Sequence, residues 1–95
     1  NLHEEVTRVP MIVSIPGFKP GRTRAITELV DIFSTLSELA GLKIPASVQG
    51  KSLMAVLRNN DATVREGAMS LNKGGYSIRT ANHAFMRYPD KSAGL

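Results

Sequence analysis

Two histidines, His3 and His83, and an adjacent carboxylate pair, Glu4 and Glu5, are the first side chains of this 95-residue sequence to invite a chemical reading. General acid–base catalysis needs groups aimed at one reacting centre, within hydrogen-bond reach of the protons they move. Adjacent positions on a strand or a helix point apart, so Glu4 and Glu5 do not make such a pair. His3 and His83 lie near opposite ends of the sequence, and the chain has no cysteine, so no metal site made within these residues is expected. The same absence excludes disulfides, thiolate metal centres and a cysteine nucleophile here. Twelve basic residues against eight acidic ones give a net charge of +4, a mild attraction to anions. The basic residues are scattered with no block of five, which reads as a solvated surface. Tyr76, Tyr88, Phe18, Phe33 and Phe85 are too dispersed to form a stacking platform, so no nucleic-acid partner is expected. No apolar run approaches the roughly 18–20 residues that cross a bilayer, and no membrane partner is expected. The first residues carry no signal-peptide pattern.

The elements that must hold these side chains follow from period and punctuation. "MIVSI" (11–15) lacks strict alternation and reads as a strand buried on both faces, of the kind found inside large helix-covered sheets. "PGFKPGRTR" (16–24), with two Pro and two Gly, is a surface loop. In "ITELVDIFSTLSELAGL" (26–42), Ile32, Leu36, Leu39 and Ala40, with Phe33 beside them, recur at helical spacing. Asp31 reads as the N-cap and Gly41 as the stop. "GKSLMAVLRNN" (50–60) repeats the scheme: Ser52 caps, Leu53, Val56 and Leu57 form an apolar face, and Asn59, Asn60 and Asp61 end it. From residue 66 the pattern changes to strands. "EGAMSL" and "YSIRT" flank the hairpin loop "NKGG", and "HAFMRY" follows a tight connection at "AN". The reading is an antiparallel meander with one face, including Ile78, on the helices. The expected fold is thus α/β in class, as an α+β piece: a strand of the kind found inside a large helix-covered sheet, then helices, then a small antiparallel sheet.

Four of these stretches, in this order, resemble the type I sulfatases of the alkaline-phosphatase superfamily. "LHEEVTRVPMIVSIPG" resembles the family's "LFEESTRVPLIV-x-x-PG", and "ELVDIFSTLSELAGLKIP" its "ELVDLFPTLLDLAGL-x-x-P". "QGKSLMAVL" resembles "GxSLxPLL". "GGYSIRTANHAFMRY" resembles the "GYSIRT" strand pair, as in iduronate-2-sulfatase-like members. The resemblance implies that residues 1–23 end the catalytic domain and that residues 24–95 form part of the C-terminal subdomain. It also implies a substrate-binding lysine just before Asn1, an "ELYDL" stretch after Leu95, and a missing N-terminal catalytic domain as the partner of this chain.

The chemistry that the resemblance implies is hydrolysis of sulfate esters, on sulfated carbohydrate, in a secreted or periplasmic enzyme. Such sulfatases use a formylglycine made within C/S-x-P-S-R beside a calcium ion, which takes oxygen ligands. The motif does not occur here; Ser34, in "FSTL", lacks the following Pro-Ser-Arg. The nucleophile and the calcium ligands are therefore expected outside this chain, which alone is expected to be inactive. Two residues are candidates for substrate contact: His3, near the expected lysine, and Arg79, which could meet an acidic sugar. Arg8, with Glu4 and Glu5, reads as structural ion pairing at the strand entry. Ser34 and Ala55 stand where the family often carries a helix-starting proline. Two other functions share the same residues: a related phosphonate or phosphodiester hydrolase, differing at the nucleophile, and a free-standing basic module for polyanions.

Overall fold

The computed structural model describes residues 7–72 and 74–87 and the backbone of 93–94. It is a small α+β arrangement. Helix α1 spans Asp31–Leu39 and helix α2 spans Met54–Arg58. Strands β1 (Ala68–Asn72), β2 (Gly75–Arg79), β3 (Ala84–Arg87) and β4 (Ala93–Gly94) follow in an antiparallel meander, each beside its sequence neighbour. The two hairpins are where the turn residues put them. Asn72 pairs with Gly75 across a two-residue loop, and Arg79 pairs with Ala84 across the turn at Ala81 and Asn82. Thr80 N–H donates to the His83 carbonyl at 2.8 Å and closes that turn.

The ends of α1 are built locally. Asp31 is the first helical residue rather than the cap, which is Val30 and gives no side-chain bond. A tight turn precedes the helix, with Asp31 N–H donating to the Glu28 carbonyl at 2.9 Å. The Asp31 carboxylate then reaches back to accept the Glu28 N–H at 2.8 Å, across the turn that leads into the helix. At the other end Gly41 adopts a φ of 73°, a left-handed conformation that a side chain resists. The Leu42 N–H bonds to the Ser37 carbonyl and the Gly41 N–H to the Glu38 carbonyl, a Schellman closure. At helix α2, Leu53 and Val56 of the expected face are buried and Leu57 is half-buried, while Met54, not expected on that face, is buried too. Ser52 Oγ accepts the Met54 N–H at 3.2 Å, and Asn59 leaves the helix at φ −142°.

The larger helix turns its expected inside out. Asp31, Ser34, Thr35 and Ser37 are buried, while Phe33 is 56% and Leu36 60% exposed, and Ile32 and Leu39 also face outward. The reason is the set of polar partners on the loop that follows. Ser34 Oγ donates to the Gly50 carbonyl, and Thr35 Oγ1 accepts the Leu53 N–H, each at 2.8 Å. A Cβ on Gly50 would strike the Val30 carbonyl oxygen, so the loop lies directly against the start of the helix. The sheet behaves alike. Ser77 is buried, whereas Met69 and Ile78, opposite each other in the ladder, are exposed, and Leu71 is 75% exposed. Ile78, expected on the helix-covered face of the meander, is thus on an exposed face instead.

Residues 11–15, expected as a strand buried on both faces, carry no regular structure, and Ile12 is 93% exposed. A doubly buried strand needs ladder partners at its edges and apolar layers on both faces. The described residues supply neither. The buried apolar core among them is Leu53, Met54 and Val56. The radius of gyration is 15.0 Å, against about 12 Å for a compact domain of this length.

Candidate functional site

Among the described residues, charged side chains converge at the start of α1. Arg65, from the loop before β1, lays its guanidinium across two carboxylates. Its Nε and Nη2 donate to Asp31 Oδ2 and Oδ1 at 3.1 and 2.5 Å, and its Nη1 lies 2.8 Å from Glu28 Oε2. Asp31 Oδ1 also accepts the Lys51 N–H at 2.9 Å, while Glu28 Oε1 accepts the Met69 N–H at 2.5 Å. This cluster ties the helix start, the loop before α2, the approach to β1 and β1 itself into one unit. Burial pushes the Asp31 carboxyl up. The hydrogen bonds from Arg65 and from the Lys51 and Glu28 N–H groups, with the Arg65 charge, outweigh it and hold the carboxyl below its ordinary value. Hydrogen bonding to Asp31 pushes Arg65 up.

Chemically this is a joint rather than a reaction centre. Each Asp31 oxygen already accepts two hydrogen bonds, one from Arg65 and one from a backbone N–H, so no lone pair is left for a proton or a metal. Among the described residues no three His, Cys, Asp or Glu side chains gather as a metal site would require. A calcium ion therefore does not fit the acids described here. An open concavity of about 500 Å³, lined by Lys51, Thr63, Val64, Arg65, Glu66 and Gly67, lies beside the joint. A second, of about 260 Å³, is lined by Gly17, Phe18, Lys19, Leu57 and Arg58.

His3, Glu4 and Glu5 lie outside the described residues, and Arg8, which the sequence reads as their structural ion-pairing partner, is exposed. Arg79 is half-buried at the end of β2, opposite Ala68 and Ala84. His83 is exposed in the turn, where its N–H donates to Thr80 Oγ1 at 3.2 Å. Ser34 is fully buried, and its hydroxyl fastens α1 to the loop at Gly50. The Asp31–Arg65 pair was not foreseen. Its one local sign is an acidic residue at a helix start; the partner is 34 positions away. No helix of the described residues is long and apolar enough to cross a membrane.

Comparison with known proteins gives this scaffold its relatives. Residues 1–92 match the family model described as N-sulphoglucosamine sulphohydrolase, C-terminal. The mouse (Mus musculus) arylsulfatase K is 26% identical over 106 residues, covering 95% of this chain and 19% of that protein. An N-acetylglucosamine-6-O-sulfatase of Bacteroides thetaiotaomicron is 39% identical over 64 residues, covering 65% of this chain and 12% of that protein. An ulvan-active sulfatase of Formosa agariphila is 29% identical over 97 residues, 88% of this chain and 19% of that protein. No solved structure matches the chain. The chain spans less than a fifth of the length of these curated relatives. By the match that runs through nearly all of its residues, the chain belongs to the N-sulphoglucosamine sulphohydrolase C-terminal family, the C-terminal region of sulfatases.

Proposed function

We propose that the chain serves as the C-terminal region of an enzyme that hydrolyses sulfate esters of carbohydrate. The observation that carries this reading is the family match over residues 1–92, joined to relatives that are themselves named sulfatases. The carbohydrate substrate is favoured by the relative named for N-acetylglucosamine 6-O-sulfate. Closeness to iduronate-2-sulfatases rests on "GYSIRT" and its neighbours alone, and the relatives reported above carry other names. In this reading the formylglycine nucleophile and the calcium ligands belong to the rest of the enzyme, which is secreted or periplasmic. The present residues contribute scaffold and, through His3 or Arg79, contact with the sugar.

The test replaces the matched segment of the Bacteroides thetaiotaomicron N-acetylglucosamine-6-O-sulfatase with the residues of this chain that align to it and follows sulfate release from a 6-O-sulfated N-acetylglucosamine. The graft is expected to release sulfate, and the isolated chain to leave an aryl sulfate untouched with or without calcium. A folded graft without turnover would contradict the sulfatase reading. Turnover by the purified isolated chain would contradict the placement of the catalytic centre elsewhere.

A further inference from the structure

The positive charge of the chain is unevenly placed. No acid occurs between Glu5 and Glu28 or between Glu38 and Asp61, and these two stretches hold seven of the twelve basic residues. The rest of the chain has five basic residues against all eight acids. The fold brings part of each stretch together. A turn at Gly17, with φ 87° and the Phe18 N–H donating to the Ile15 carbonyl at 3.1 Å, starts the loop that runs to Arg24. Asn60, just past α2, holds that loop. Its carbonyl accepts the Thr23 hydroxyl at 2.8 Å, and a Cβ on Gly21 would strike its side-chain oxygen. Its own amide donates to the Val56 carbonyl at 3.1 Å and so stays fixed to the helix. Arg22 stands between the two loop residues that meet Asn60, Arg24 follows, and Arg58 lies in the last turn of α2. Lys19 and Arg58 line the same concavity of about 260 Å³, with Phe18. All four cations are exposed, and none makes an ion pair with a described residue. Like charges held this close repel one another, and an anion among them relieves the cost.

We infer that the loop 17–24 and the end of α2 form a binding surface for a sulfated carbohydrate chain, with Lys19, Arg22, Arg24 and Arg58 as its anion-binding side chains. A guanidinium presents pairs of N–H groups that match two oxygens of a tetrahedral anion, and an ammonium adds a point charge. Half-buried Phe18 gives the concavity an aromatic ring, an apolar face for the C–H side of a sugar. A volume of about 260 Å³ is below the roughly 300–1,000 Å³ of a pocket for a drug-sized ligand, so it holds one sugar unit. Arg22 and Arg24, farther along the loop, then serve the sulfates of neighbouring units. A single-stranded nucleic acid would ask for several rings in series, and this loop has one. The inference rests on the proposed carbohydrate-sulfatase reading and gives these residues their part in it: they hold the polymer by its sulfates.

Heparin is the probe, titrated against the full 95-residue chain at low salt. Arg22→Gln and Arg58→Gln, both at exposed positions, are each expected to weaken binding by about fivefold, and Phe18→Ala by about threefold. Arg87→Gln removes the same charge from an exposed position of β3 and is the control, expected to change the Kd by less than about twofold. Chemically desulfated heparin is expected not to compete. Equal losses from Arg22→Gln, Arg58→Gln and Arg87→Gln would overturn the surface, and so would full competition by the desulfated polymer. Equally tight binding of oligothymidylate, with Phe18→Ala indifferent, would overturn the carbohydrate as its occupant. Heparin binding that falls with Arg22→Gln, beside a folded graft that releases no sulfate, overturns the sulfatase function and leaves the surface standing. Sulfate release by the graft, beside equal losses from all three arginine variants, does the reverse.

Discussion

Asp31 and Arg65 tie the start of α1 to the loop before β1 through a buried ion pair. The guanidinium is 12% exposed and the carboxylate 0%, so removing either side chain strands the other in a poorly solvated place. Breaking such a pair costs about 3–5 kcal/mol. Arg65→Ala is therefore expected to shift the urea midpoint strongly downward, while Arg58→Ala, at an exposed position, leaves it nearly unchanged. Equal shifts would remove Arg65 from its central place. Because the Asp31 carboxyl titrates below its ordinary value, its contribution is complete above the unfolded-state value, about pH 4. It is lost as pH falls further, through the folded-state value. Between pH 7 and pH 3 the natural protein should lose more stability than Asp31→Asn, and the same loss in both would contradict the assignment. Little of this joint was legible in the sequence. Asp31 stood out at a helix start, but its partners Lys51 and Arg65 come from 20 and 34 positions away, beyond the reach of local pattern.

Among the elements, α2 and the β1–β3 meander were legible because local chemistry decides them. Leu53 at the cap of α2 and Val56 within it, both on the expected face, join Met54 as the buried apolar core of the described residues. The hairpins follow from short turn-rich connections that permit little else. Helix α1 had the right period and the right stop at Gly41, yet its covered face was misread. Periodicity says which residues share a face; it does not say what covers that face. Here the loop at Gly50 covers the polar side by offering its carbonyl to Ser34. That approach leaves no room for a side chain at residue 50, where a Cβ would overlap backbone rather than a movable side chain. Gly50→Ala should therefore destabilise the protein by at least the ~1–3 kcal/mol typical of overpacking. Thermal unfolding would report it, and a neutral result would mean that the loop lies farther from α1 than described.

At the scale of the molecule, family membership and the small α+β class were legible, while the setting of residues 11–15 was not. Four short stretches in the right order identified the sulfatases, whereas "MIVSI" was read as a strand that the described residues do not form. The two outcomes have one physical source: a strand buried on both faces is specified by neighbours, and 11–15 find none among the described residues. Exposed Ile12, Phe33 and Leu36 and a radius of gyration of 15.0 Å agree with a surface made for burial elsewhere. The most direct test of the account is the sequence of the reading frame around Asn1 and Leu95. It is predicted to carry a lysine within about three residues before Asn1 and an "ELYDL"-like stretch after Leu95. Further upstream it should carry C/S-x-P-S-R near an aspartate pair, the hard oxygen ligands that calcium takes. A start codon immediately before Asn1 would contradict the account and leave a free-standing basic module in its place.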